Sequence, residues 1–372
     1  MRESGIPDQR TIAKNPKIAH IATPDPNSRS TYERASMSSS EAPRSRSSRR
    51  FLWLTLFILV LFGGYSAGWY WLANRATERV DETIAKLNGD GRAATCENRT
   101  ISGFPFRLGL TCDSVAYEDD LNKIAVTAGG LRTAAQVYDP LRTIGELDGP
   151  LRIDAPGITP LFIEWDSLRS SARLARPIPA LISVEATGLS AVSDPDDETD
   201  PVEFFSAEQA EAHLRPNGSD LDWAGSFKQL EIDPAAVGNR TLPVFDGEGD
   251  ATVKNGVALI QSRPKSLRGQ SVEIRNLALS SGEAKMTLSG PIAIDTTGKV
   301  DATLSLAMEN PAAASAIFQA AVPERSKEIG QAFGALGMLG DKPTIPIKIE
   351  KSKVKLDLLF GSITLGQLPS VE

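Results

Sequence analysis

The chain has 372 residues, enough for one large domain or two ordinary ones, and its 41% hydrophobic content is ordinary for a globular protein that buries a core. The net charge of -7 is uneven: residues 1–50 carry 10 Lys/Arg against 5 Asp/Glu, and the rest of the chain carries 30 against 42. An acidic body excludes nucleic acid as a partner, because that needs a basic stripe, and two histidines with two cysteines exclude a Cys/His metal cluster.

Residues 1–50 are rich in Ser, Pro and Arg without apolar period, which reads as a disordered, basic, cytoplasmic tail. Met37 stands near the end of this tail and is an alternative start. Phe51–Leu72 (FLWLTLFILVLFGGYSAGWYWL) holds no charge, and about 20 such residues cross a hydrocarbon core. The run ends in Trp69, Tyr70 and Trp71, rings suited to a membrane–water interface. These features point to an uncleaved transmembrane anchor from Phe51 to Leu72. A cleaved signal peptide stays open, since Gly63–Ala67 offers small residues. Gly64 and Gly68 make a small-xxx-small pair, which is either a helix-dimer face or a chance spacing. Arg44, Arg46, Arg49 and Arg50 precede the span, so its N-terminal side is expected in the cytoplasm and the body in the periplasm.

Residues 73–90 read as a juxtamembrane helix, with Val80, Ile84 and Leu87 on one face and Gly89–Gly91 as the stop. Residues 91–372 read as a β-rich ectodomain. Phe106, Leu108 and Leu110 alternate with polar residues up to Cys112, and Thr95–Ile101 is the expected partner strand across Ser102-Gly103. Cys96 and Cys112 are then a cross-strand disulfide, or two buried free thiols. Pro105 reads as an edge position, with Phe104 and Phe106 anchoring that edge in the core.

Alternation recurs at Ile124–Ala128, Leu151–Ala155 and Ile182–Ala186. Asn255-Gly256 between 251–253 and 257–259 predicts a hairpin. Residues 194–200, DPDDETD, read as a solvated acidic turn without calcium-loop spacing, and Phe204–Leu214 as a short helix. A domain subdivision near 194–220 is possible, though an inserted loop looks the same. In the last third, Met286, Leu288, Ile292 and Ile294 face Leu304, Leu306 and Met308 across the turn Thr296–Gly298. A second unit follows, with Val354, Leu356, Leu358 and Phe360 before Gly361 and Ile363 and Leu365 after it. Between these units, residues 312–339 read as a helix broken at Pro323 that covers the sheet.

Little in the chain reads as catalysis. His20 lies in the tail, and His213 stands near an expected helix end beside Glu208 and Glu211, without triad spacing. Gly64–Gly68 matches a nucleophile-elbow pattern but lies inside the apolar span. No phosphate-binding or dinucleotide loop is present. Carboxylate pairs leave a hydrolase as the third-ranked reading.

One phrase is more specific: Ile101–Leu108 (ISGFPFRL), preceded by the anchor and flanked by the cysteines. With Ser289–Asp295 (SGPIAID) and Leu356–Gly366 (LDLLFGSITLG), it resembles the proteobacterial envelope proteins grouped as domain-of-unknown-function family 2125, from about residue 50 to the end. The same phrases are similar, more weakly, to AsmA-like proteins, which implies phospholipid handling between membranes. Neither resemblance supplies an active-site residue.

The expected fold is mainly β (α+β): a transmembrane helix, then a large curved antiparallel sheet or sandwich with a few covering helices. The expected function is non-enzymatic, with no cofactor. In that reading an inner-membrane-anchored periplasmic protein holds a lipid or acyl chain in a groove lined by Leu288, Ile292, Leu304, Leu306, Leu356 and Leu358. The alternative is an envelope scaffold or assembly factor acting through protein partners.

Overall fold

The computed structural model describes residues 47–193, 200–262, 266–338, 340–358 and 361–371, with the side chains of 47–48 and 356–365 left out of the description. The tail before residue 47, Met37, and positions 194–199 of the acidic segment fall outside it. The chain divides into two units, residues 1–57 and 58–372, and the sheet lies wholly in the second.

The first element, α1 (Ser47–Leu87), is continuous from the basic flank through the apolar run and on through the juxtamembrane segment. By length and composition it fits a membrane anchor, and a signal sequence passes the same test. From Ile58 onward its better buried positions, Ser66, Trp69, Leu72, Ala73, Ala76, Thr77, Val80 and Ile84, fall along one helix face. Leu87 is exposed. The helix ends where Gly89 and Gly91 take positive φ.

Short strands follow: β1 (Arg92–Cys96), β2 (Thr100–Ser102), β3 (Arg107–Cys112), β4 (Val115–Asp119), β5 (Ile124–Ala128), β6 (Leu131–Gln136), β7 (Asp139–Leu147), β8 (Leu151–Asp154), β9 (Leu161–Glu164) and β10 (Ser167–Arg173). Longer ones come next: β11 (Leu181–Ser193), β12 (Glu203–Asn217), β13 (Asp220–Ile232), β14 (Phe245–Val253), β15 (Ser271–Ser281), β16 (Ala284–Ile294), β17 (Val300–Glu309), β18 (Thr344–Glu350), β19 (Lys353–Leu358) and β20 (Gly361–Gln367). A short helix α2 (Gly256–Ser262) precedes β15. Between β17 and β18 lie α3 (Pro311–Ala321), a 3-10 turn (Pro323–Arg325) and α4 (Ser326–Gly337).

All these strands form one antiparallel sheet rather than a sandwich. Its plan is simpler than the strand count suggests. β1 pairs with β4, β4 with β5, β5 with β8, β8 with β9, and β9 with the far half of β11. Meanwhile β2 pairs with β3, β3 with β6, β6 with β7, β7 with β10, and β10 with the near half of β11. Each couple β1/β2, β3/β4, β5/β6, β7/β8 and β9/β10 is therefore one crossing of the sheet, interrupted partway. The interruptions are bonded to one another: Asp113 N–H donates to Glu97 O, Asp148 N–H to Gly130 O, and Asp166 N–H to Thr187 O. They form a seam across the first third of the sheet. At Gly188 the longer β11 passes the seam with φ +60°, and a Cβ there would collide with the Asp166 carboxylate, so glycine is required. From β11 the chain runs as an up-and-down meander to β20, each strand pairing with the next.

Several local expectations are corrected. Phe204–Leu214 lies within strand β12, because pairing to β11 and β13 along its length outweighs a helical reading of Ala and Glu. His213 is therefore mid-strand. Asn255 adopts φ +53° but leads into α2 rather than a hairpin, and β14 pairs with β13 and β15 instead. The disulfide Cys96–Cys112 is present, with Cα atoms 5.3 Å apart, but it joins β1 to β3 rather than partners in one ladder. Cys96 lies opposite Val115, because the seam breaks the expected 95–101 strand at Glu97–Arg99. Pro105 sits in the turn between β2 and β3. Phe104 and Phe106 point away from the core and are exposed.

Two buried clusters hold the last third together. Val300, Ala302, Leu304 and Ile349 are packed by Leu288, Ile292, Ile294, Ile347, Val354 and Val371. The C-terminal segment reaches this cluster because Val371 N–H donates to Gly298 O. The second cluster joins Ala284 and Met308 of the sheet to Ala314 of α3, with Ile317, Phe333 and Leu336 around them. The helical pair thus covers one part of the sheet, as the apolar stripe of 312–339 implied. Pro323 ends α3 because it has no N–H to continue the ladder.

Candidate functional site

Strand register decides which side chains share a face. Leu214 lies opposite Trp223, Trp223 opposite Ala251, and Ala251 opposite Ile274. A parallel row runs Leu277, Leu288, Leu306, Ile345. One face of the sheet is therefore apolar from β11 to β19, and the alternate residues are polar, as antiparallel strands with one solvated side require.

The centre of this face is open. Gly225 lies opposite Gly249, and Phe227 opposite Gly247. A Cβ on Gly249 would collide with the Trp223 ring, and one on Gly247 with the Phe227 ring. The rings thus lie flat over a glycine floor that nothing larger would permit. Both glycines are buried, yet Trp223 stays 38% exposed, Leu277 45% and Val184 36%. Beyond Leu277, the same face runs under α3 to an apolar cavity of about 130 Å³ lined by Leu279, Met286, Ile317 and Phe318.

Leu288, Ile292, Leu304 and Leu306, expected to line a groove, share this face. Leu304 is buried in the first cluster, and the other three are half-buried. The backbone puts Leu356 opposite Ile347 in the same row, and Leu358 lies two residues on along β19. The side chains of Leu356 and Leu358 lie outside the described part.

The polar face carries a charged network. Asp222, buried on β13, accepts from Thr252 Oγ1 at 2.7 Å and from Arg275 and Arg215 at 3.3 Å. Arg275 also bonds Asp250. The Thr252 hydroxyl, aided by the Arg275 and Arg215 guanidinium groups against the effect of burial, holds the Asp222 carboxyl below the usual carboxylate range. Nearby, His213 Nδ1 lies 2.9 Å from Ser183 Oγ, and His213 Nε2 lies 3.8 Å from Glu211. Register joins these residues across 30 positions, a proximity that spacing along the chain hid. The trio lies on the polar face of the sheet, where Ser183 is paired on both sides in the ladders. Among the described residues no group of three or more His, Cys, Asp or Glu is placed to hold a metal ion.

At the sheet's first edge, the turn after β2 grips α1. Tyr65 Oη donates to Pro105 O at 2.5 Å, and Trp69 Nε1 donates to Arg107 O at 2.9 Å. The Phe104 ring lies edge-on to Phe62 and Trp69 and stacks on Tyr70, and Phe106 meets Tyr65. Of the expected anchor residues, Trp69 is buried in this clamp and Leu72 is half-buried, while Phe51, Tyr70 and Trp71 are exposed.

The signature of a family described as "uncharacterized protein conserved in bacteria" matches residues 69–371. The chain belongs to this family, DUF2125. The match starts at the clamp tryptophan and takes in the disulfide, the whole sheet and α3–α4. Comparison with curated proteins finds no match.

Trp223 and its glycine floor were missed by pattern reading. The stretch around them, LDWAGSF, lies next to segments read as a loop and a helix, and only the pairing of β13 with β14 places the ring over glycine.

Proposed function

We propose that this DUF2125 protein is a membrane-anchored, non-enzymatic binding protein that holds a lipid or acyl chain on the apolar face of its sheet. The observation that supports it is the row from Val184 through Trp223 and Leu277 to the cavity beneath α3: apolar, half-open and floored by glycine. A soluble domain seldom leaves such a strip open without an occupant. In this reading α1 stays uncleaved and the arginines before it keep the N-terminus in the cytoplasm. The sheet then stands in the periplasm of a bacterial envelope, where the Cys96–Cys112 disulfide is at home.

A second reading, an envelope scaffold, draws on the outer edge of β20, which pairs only with β19 among the described residues and offers a ladder for strand addition. Native mass spectrometry of the full-length chain in mild detergent separates the two. Bound phospholipid or fatty acid is expected, and Trp223→Ala with Leu277→Asp should reduce its occupancy about tenfold, the equivalent of ~1.4 kcal/mol. Lipid carried equally by wild type and variant would be annular lipid around α1 and would leave the scaffold reading ahead.

A further inference from the structure

The end of the sheet that grips α1 has a composition unlike the rest of the body. Three neighbouring turns meet there: 103–106 after β2, 137–138 after β6, and 174–180 after β10. They are stitched together, since Val137 N–H donates to Phe106 O and Leu174 N–H to Leu141 O. Large apolar side chains project from them, with Phe106 65% and Tyr138 78% exposed. Between residues 103–107, 136–142 and 173–181 the charged residues are Arg107, Asp139, Arg142, Arg173 and Arg176, a basic rim on a body that is otherwise acidic.

Arg142 and Arg173 stand directly opposite each other on β7 and β10. Like charges in that position repel. Neither they nor Arg107 forms an ion pair among the described residues, whereas Arg132 and Arg169, farther along β6 and β10, meet Glu146. An anion from outside the chain would relieve that repulsion. Depth also follows from the clamp. Phe104 meets rings at positions 62, 69 and 70, within the apolar run that ends at Leu72. At about 1.5 Å per residue, that contact lies several ångströms inside the end of the run.

We propose that these three turns form a bilayer-docking rim. Phe104, Phe106 and Tyr138 enter the headgroup–acyl boundary beside the helix, and Arg107, Arg142 and Arg173 engage anionic lipid headgroups. The inference rests on α1 being a retained membrane anchor. It adds that the body does not hang free from a tether. Its first edge is seated in the leaflet, which sets the start of the sheet against the lipid.

The test uses the full chain in nanodiscs of phosphatidylethanolamine with phosphatidylglycerol. The native disulfide leaves no other free thiol among the described residues, so single cysteines introduced as Phe106→Cys, Tyr138→Cys, Val60→Cys and Leu121→Cys take a nitroxide label selectively. Oxygen partitions into lipid and a nickel chelate stays in water. The oxygen-to-nickel accessibility ratio at 106 and 138 is expected to be several-fold above that at Leu121, an exposed turn at the opposite end, and to approach that at Val60. Arg142→Glu with Arg173→Glu should lower the ratio at 138. Free access of nickel to 106 and 138 with a lipid-like ratio at 60 overturns the rim and leaves the anchor standing. Free access at 60 overturns the anchor itself. Protection of 106 and 138 from both reagents points to a protein partner and also overturns the rim, and indifference to the arginine changes overturns its electrostatic half.

Discussion

Asp222 shows how a single buried carboxylate organises the polar face. From β13 it accepts from Thr252, Arg275, Arg215 and Asn217, drawing on β12, β14 and β15. Asp222→Asn should cost about 1–2 kcal/mol at neutral pH, measurable by denaturant unfolding, since charge-assisted bonds are lost and some donors are left without a good acceptor. The sign of the pH dependence follows from the lowered folded pKa. Stability from Asp222 is fully present above the unfolded carboxylate value of about 3.9 and is lost as pH falls through the folded value. Wild type should therefore lose stability below about pH 5 more steeply than Asp222→Asn, whose side chain does not titrate. Glu350, flanked by Lys348 and Lys355 and held at about 2, titrates in the same acid window and is unaffected by that substitution. At His213, the Ser183 contact is a cross-strand pair. Ser183→Ala should leave lipid occupancy within about twofold of wild type, because it lies on the opposite face from Trp223.

The first hairpin ties α1 to the start of the sheet. Its β2–β3 turn carries the aromatic clamp on α1, and the Cys96–Cys112 bond ties β1 to β3 where the seam interrupts the ladder. Replacing both cysteines with serine should reduce stability by about 3 kcal/mol, the chain-entropy value for a loop of this size. Thermal unfolding under reducing and oxidising conditions reads it: wild type is expected to respond to reductant and the variant not. At the other end of the chain, α3 and α4 act as a lid over Met286 and Met308. Asn310 caps α3 by accepting from Ala313 N–H at 3.1 Å, and Pro311 occupies the first turn, where its missing N–H costs nothing.

Across the whole molecule, burial is uneven. Among the described residues, nearly all buried apolar side chains of the sheet lie from β11 onward, and the strands before β11 contribute only Cys112 and Ala128. In a meander where each strand contacts only its neighbours, stability is set locally rather than by one closed core. Amides of β16–β18, which carry both clusters, should exchange with deuterium at least tenfold more slowly than those of β5–β9. Uniform exchange across the sheet would show that it opens as a single cooperative unit.

Much of this was legible in the chain itself. An uncharged run of membrane-spanning length forms a helix wherever backbone groups must satisfy themselves. Period-two alternation at 286–308 forces strands with one apolar face, the alternation read from Val354 to Leu365 falls on β19 and β20, and Pro323 breaks the covering helix for want of an N–H. These are local properties, so pattern reading reaches them. What only the tertiary structure decided depends on register between distant strands. It turned Phe204–Leu214 from a helix into a strand and set Trp223 over Gly249. It also brought Ser183 to His213 and opposed Arg142 to Arg173. It aimed Phe104 and Phe106 at α1 instead of the core. Shifting one strand by a single residue would exchange its two faces, and the energies that prevent the shift come from neighbours far away in sequence.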